Sequence, residues 1–153
     1  MPLSEAVADK CGWRGVRTVP SVRPVPQVVV ESFSFGRRVP SALGCVLMLD
    51  LRYQLLFPHR KFAGTTWSEG ELVQETLALP GVHTVVERTV EDALALVLLN
   101  IERDIPTRIL VGCRCGQRRS VVLAEVIADT VTARGRKAIA KHHHLNSTVT
   151  GGQ

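Results

Sequence analysis

The sequence predicts an α/β fold: a single layered domain with a small, mostly parallel sheet flanked by helices. Three observations lead there. Short apolar runs alternate along the chain with longer segments of helical period. The short runs, QVVVESF (27–33), CVLMLDL (45–51) and RILVGC (108–113), lack in-and-out alternation, as strands covered on both faces do. The 153 residues are 45% hydrophobic and 22% charged, which suits one globular domain with a core of its own. Aromatic residues make up only 5%, so that core has to be built from Val, Leu, Ile and Ala.

Residues 1–26 carry Pro2, Pro20, Pro24 and Pro26 with Arg14, Arg17 and Arg23 and no sustained period. This predicts a flexible basic tail ahead of a domain at 27–146. Strand 27–33 runs into the turn-like SFGRRVPS segment, and strand 45–51 closes on Asp50. Residues 53–67 are irregular. Thr66 with Glu69, or Ser68 with Glu71, offers a capping box for a short helix that ends before Leu79-Pro80-Gly81. In the next helix Val90, Ala93, Leu94, Val97, Leu98 and Ile101 form one apolar stripe. It begins as early as Val82, and Asp104-Ile105-Pro106 breaks it.

After strand 108–113, SVVLAEVIADTVTAR (120–134) reads as a helix apolar almost all round, relieved by Glu125, Asp129 and Thr132. Gly135 is placed to cap it. KAIAKHHH (137–144) is a fourth strand, which would put His142 and His144 on one face and His143 on the other. Residues 147–153 form a frayed polar tail.

A net charge of +5 and a pI near 9.4 favour anionic partners, although many soluble proteins are mildly basic without one. No secretory segment opens the chain, and ALALVLLNI (93–101) is too short to span a bilayer. The expectation is a cytoplasmic protein without membrane contact, whose Cys11, Cys45, Cys113 and Cys115 stay reduced. Neither G-x-x-x-x-G-K-[ST] nor G-x-G-x-x-G occurs, and no motif calls for a cofactor.

The chemistry concentrates in GCRCGQRRS (112–120). A strand delivers the chain to the carboxyl edge of the sheet, where ligands of open α/β folds bind, and a helix begins at once. Its first N–H groups and positive dipole end point back at the loop. Gly112 and Gly116 allow close backbone approach, Arg114, Arg118 and Arg119 add guanidinium forks, and Ser120 adds a hydroxyl. Anion binding accounts for these residues better than packing does, though a solvated loop is the plain alternative.

A catalytic alternative uses Cys113 as a thiolate nucleophile beside Arg119, in the Cys-x5-Arg-Ser/Thr spacing of tyrosine phosphatases. Asp50 or Asp104 would then be the proton donor. Those enzymes usually place His where this chain has Gly112. A metal alternative joins Cys113 and Cys115 to His142, His143 or His144, although one intervening residue is short for a zinc knuckle.

GCRCGQRRSV (112–121) resembles the GCTGGQHRSV motif of the C-terminal domain of the RNase adapter family RapZ. ESFSFG (31–36), LDLRYQLLFPH (49–59) and HHHL (142–145) resemble further segments of that domain in the same order, and LPGVHTVV (79–86) is similar to a stretch of small stand-alone relatives. The resemblance covers about 27–146 and implies a stand-alone version of the domain, without the nucleotide loop of the family's kinase-like half. It implies a regulatory or adapter module rather than an enzyme. Such a module would bind a phosphorylated small molecule, a sugar phosphate or a nucleotide, with RNA and a second copy of the chain as further partners. By position the ligand site would comprise His59, the loop Gly112, Cys113, Arg114, Cys115, Gly116, Gln117, Arg118, Arg119 and Ser120, and nearby Asp50, Arg52 and His142. The chain departs from the motif at Arg114 (Thr in the family), Cys115 (Gly) and Arg118 (His), and has His143 and His144 where the family has Arg and Asp. The family keeps Cys and Arg at this spacing in a binding loop, so phosphatase-like spacing does not by itself imply turnover.

Overall fold

A computed structural model describes residues 26–44, 46–53, 69–114 and 118–145. The apolar runs pair into one sheet whose four strands are all parallel: β1 (Val28–Ser34), β2 (Val46–Asp50), β3 (Thr107–Cys113) and β4 (Ala138–His142), in the order β2-β3-β1-β4. The helices among the described residues are α1 (Glu69–Leu77), α2 (Val82–Leu99) and α3 (Arg119–Ala133). The expected α/β domain is thus present, and its described sheet is parallel throughout. The expected basic tail, the proposed partners of the capping boxes at Thr66 and Ser68, and the polar tail at 147–153 lie outside the described residues.

Register sorts the side chains onto two faces. Val28, Val30, Ile109, Val111 and Cys113 join Val82, Val86, Val90, Leu123, Ile127 and Val131 in a single core, with Leu47, Leu49, Ala138 and Ala140 packed against it. Alternate residues of the same strands, among them Glu31, Phe33, Arg108, Leu110 and Gly112, point to the opposite face. Both faces of the central strands are buried, as the unbroken apolar runs predict, but by different means. The described helices pack on one face, and on the other Phe33 and Leu110 are fully buried while Met48 and Ile139 on the edge strands are exposed.

The stripe of α2 is narrower than the sequence pattern. Val82, Val86, Thr89, Val90, Ala93 and Val97 are buried, whereas Leu98 and Ile101 are exposed. Leu98 lies about 100° around the helix from Val97, on the flank of the stripe, and Ile101 falls beyond the helix end. That end comes before Asp104-Ile105-Pro106, because Asn100 closes it through its backbone N–H and its side-chain amide, both donating to the Leu96 carbonyl. Gly81, with φ of 86°, makes the turn between Pro80 and α2.

α3 buries Ser120, Val122, Leu123, Ala124, Ile127, Ala128 and Val131 and leaves Glu125, Asp129 and Thr132 outside, as its pattern predicts. It ends at Gly135 (φ 86°), where Arg136 N–H reaches the Val131 carbonyl and Gly135 N–H reaches that of Thr132. This pair of bonds is the Schellman closure, which needs a left-handed residue at that point. β4 is shorter than expected and stops at His142, so strict alternation does not extend to His144.

Thr107, at the start of β3, is fully buried, and its hydroxyl has no hydrogen-bond partner among the described residues. An unpaired buried hydroxyl costs about 1–3 kcal/mol. Thr107→Val, of nearly equal shape, should raise the denaturant midpoint or leave it unchanged; a clear drop would show that the hydroxyl has a partner.

Candidate functional site

Because the strands are parallel, the ends of β1, β2, β3 and β4 meet at one edge of the sheet. That edge holds Ser34, Asp50, Cys113 and His142, and the amino end of α3 arrives beside them. Most of the described residues expected to form a site are therefore neighbours in the fold. Asp104 is the exception. It precedes β3, and the seven residues of that strand put it about 20 Å from the loop.

α3 starts at Arg119, Arg118 makes no side-chain capping bond, and the first turn contains no acidic residue. The first intrahelical bond runs from Val122 N–H to the Arg118 carbonyl. Three amides of the first turn thus precede any intrahelical donor, and no acidic side chain of that turn offsets the partial positive charge of the helix end. Arg114 and Arg118 are exposed and Arg119 is half-buried. Cys115, Gly116, Gln117 and His59 lie outside the described residues.

Gly112 has a packing reason to be glycine as well as the expected close backbone approach. A Cβ there would sit 2.4 Å from Phe35 Cε2 and 2.5 Å from Phe33 Cζ. The two rings meet edge to face, 4.8 Å between centroids, and the Arg52 guanidinium stacks on Phe35 at 3.9 Å. Main-chain bonds tie this layer to the sheet edge, from Phe35 N–H to the Cys113 carbonyl and from Leu51 N–H to that of Gly112.

Arg52 also donates to both carboxylate oxygens of Asp50, with Nη2 to Oδ2 at 2.5 Å. The side-chain bonds from Arg52, then the bond from its backbone N–H, hold the Asp50 carboxyl below its ordinary range. Asp50 is therefore an ionised carboxylate at neutral pH, a poor starting state for a general acid.

Cys113 and Ser120 face away from the open edge. Cys113 is 2% exposed and belongs to the helix-side core, and its thiol donates to Ser120 Oγ at 3.2 Å. Ser120 is itself fully buried. The pair fastens the end of β3 to the first turn of α3.

Both ring nitrogens of His142 are engaged, Nδ1 with Ser32 Oγ and Nε2 with Glu125 Oε1, each at 2.7 Å. His143 turns to the opposite face, where its Nε2–H meets Glu31 Oε1 at 2.9 Å. His144 accepts the Ser34 N–H on Nδ1 at 2.8 Å, while Ser34 Oγ donates to the Arg114 carbonyl at 2.5 Å. Among the described residues no three His, Cys, Asp or Glu side chains gather where they could hold a metal ion. Cys115, part of the metal alternative, is outside them.

Ser32, Ser34, Glu125 and Phe35 escaped the sequence reading as site residues. For Ser32, Ser34 and Phe35 the signal was the resemblance of ESFSFG to a family segment, which says where they lie in the chain but not that they brace the loop and His142; Glu125 lies outside that segment and had no such signal.

The C-terminal domain of RapZ matches this chain over residues 26–146. The chain belongs to the RapZ C-terminal domain family. The loop, the ESFSFG strand end and the histidine corner all lie inside the matched family region. Among similar proteins, a nucleotide-binding protein of Novosphingobium aromaticivorans is 28% identical over 152 residues, covering 95% of this chain and 45% of that protein. A nucleotide-binding protein of Rhodospirillum rubrum is 29% identical over 130 residues, covering 82% of this chain and 40% of its own length. The chain thus spans less than half the length of these relatives. Among the described residues no helix is long and apolar enough to cross a membrane.

Two predictions follow from this geometry. Gly112→Ala should cost about 1–3 kcal/mol through overpacking, and less in a Phe35→Leu background; equal costs in both backgrounds would remove the ring contact as the cause. The second concerns pH. Burial, then the charges of Arg37 and His143, push His144 below its ordinary 6.5, so its contribution to stability is complete above that pH and is lost as pH falls through the lowered value. Burial alone would raise the Glu31 carboxyl, but its bonds from Arg108 and His143 outweigh it and hold it below 4.5, giving a second loss at more acidic pH. Denaturant midpoints against pH should show both steps, and His144→Asn should remove the first only.

Proposed function

We propose that the chain is a phosphate-binding regulatory or adapter module whose β3–α3 loop, residues 112–120, holds the phosphate of a small molecule. The uncapped amino end of α3 carries this reading: amides and the helix dipole meet Arg114, Arg118 and Arg119 at the carboxyl edge of a parallel sheet. The loop segment would supply backbone N–H groups, Arg119 the fork closest to the helix, and Arg52 and His142 the flanks of the site.

The printed names of the relatives, nucleotide-binding proteins, describe chains more than twice as long as the part matched here. Neither standard nucleotide loop occurs in this sequence. The phosphate is the chemistry common to a sugar phosphate and a nucleotide, and the proposal rests on it. An RNA backbone presents the same group, and RNA binding would appear as affinity falling steeply with salt. Self-association is a further part of the family-based reading, open to sedimentation.

Binding is favoured over phosphatase chemistry by three placements. The Cys113 thiol is packed in the core and bonded to Ser120, Asp50 is held ionised by Arg52, and Asp104 is at the far end of β3.

The test is a titration with inorganic phosphate followed by thermal shift. Arg119→Ala should weaken binding by about ten- to a hundredfold, the loss of one charge-assisted fork, and Cys113→Ser should bind as wild type. An unchanged response in Arg119→Ala would remove the loop as the site. Hydrolysis of an aryl phosphate by wild type and not by Cys113→Ser would establish the catalytic alternative instead.

A further inference from the structure

The sheet face opposite the described helices carries a concavity. Side chains of β1, β3, the 38–41 segment and the residues after β4 line an open cleft of about 310 Å³, with Glu31, Arg38, Ser41, Arg108, His143 and His144 in its wall. None of these residues belongs to the β3–α3 loop.

Glu31 is 4% exposed and takes two donors, Arg108 Nε on Oε2 at 2.6 Å and His143 Nε2 on Oε1 at 2.9 Å. Arg108 Nη1 holds the carbonyls of Ser41 and Leu43 at 2.7 and 3.1 Å, which pins the segment forming the far wall. A buried ion pair is weak evidence for stability, since apolar residues of similar volume serve as well. A cleft that retains buried charge beside a carboxyl of shifted pKa is a candidate binding site on physical grounds.

The balance of donors and acceptors indicates what such a site would take. Among the described residues Glu31 is the only acidic side chain of the wall, and its charge is already met by Arg108 and His143. Arg108 Nη2 and the whole Arg38 guanidinium make no hydrogen bond among the described residues. His144 accepts the Ser34 N–H on Nδ1, so its neutral ring carries its proton on Nε2 as a further donor. The wall has surplus donors and net positive charge, with Val39 and Pro40 as an apolar flank. That is the complement of a compact oxyanion.

We propose that this cleft is a second oxyanion site, taking the carboxylate or phosphate of a small metabolite between Arg38 and Arg108, on the opposite face of the sheet from the core. It does not depend on the loop proposal.

The experiment is two-dimensional NMR of the full, uniformly labelled chain, titrated with inorganic phosphate in one arm and acetate in the other. A saturable shift of the Ser41 and His144 amides in at least one arm is expected, and the arm that responds identifies the oxyanion. Arg38→Ala, a change at an exposed side chain, should weaken that response about tenfold, while shifts at Arg119–Val121 in the phosphate arm keep the wild-type affinity. No saturable shift at Ser41 and His144 in either arm, or an unchanged affinity in Arg38→Ala, overturns the proposal. Failure of the loop reading shows separately, as absent shifts at Arg119–Val121.

Discussion

The rings of Phe33 and Phe35 stand where a side chain on Gly112 would be, and much of the sheet edge is arranged around that exclusion. Glycine lets the rings at the end of β1 pack directly over the end of β3, its neighbour in the sheet. Phe35 N–H then reaches the Cys113 carbonyl, Leu51 N–H reaches the Gly112 carbonyl, and Arg52 stacks on the outer ring. Three strands are drawn together at the point where the chain leaves β3 for the loop.

From that point the two faces of the sheet do different things. On the helix side, the Cys113 thiol and Ser120 hydroxyl lock strand to helix, and His142 spans Ser32 and Glu125. On the other side, Glu31 gathers Arg108 and His143, and Arg108 in turn anchors the carbonyls of Ser41 and Leu43. Ser34 joins the two systems. Its hydroxyl fixes the Arg114 carbonyl at the entry of the loop, and its N–H is held by His144. A change of protonation at His144 would therefore act on the strand end that positions the loop, which gives the acid sensitivity of the fold a structural route.

The elements were legible because their signals are local. The run QVVVESF predicts a strand at 27–33 and the structure has Val28–Ser34; the apolar-all-round pattern at 120–134 becomes Arg119–Ala133 with its glycine cap. What depends on strand order was not legible. Glu31 and Arg108 are 77 positions apart, and they meet only because β1 and β3 are neighbours in parallel register. The ring contact at Gly112 is hidden for the same reason, since those neighbours come from another strand. The histidines at 142–144 show how far period can be trusted: alternation separates His142 from His143, but β4 ends there and His144 turns back to the β1 backbone. Of the candidate site, the arginines and the helix start were visible in one stretch of sequence, while the serines and Glu125 that brace it were not.

The central claim is that the amino end of α3 holds an oxyanion. Crystals grown or soaked with tungstate test it directly, since anomalous scattering locates the anion without ambiguity. An anion peak is expected within hydrogen-bonding distance of the backbone N–H groups of Arg119, Ser120 or Val121 and in contact with the Arg119 guanidinium. An empty helix end in crystals that bind tungstate elsewhere on the protein would contradict it.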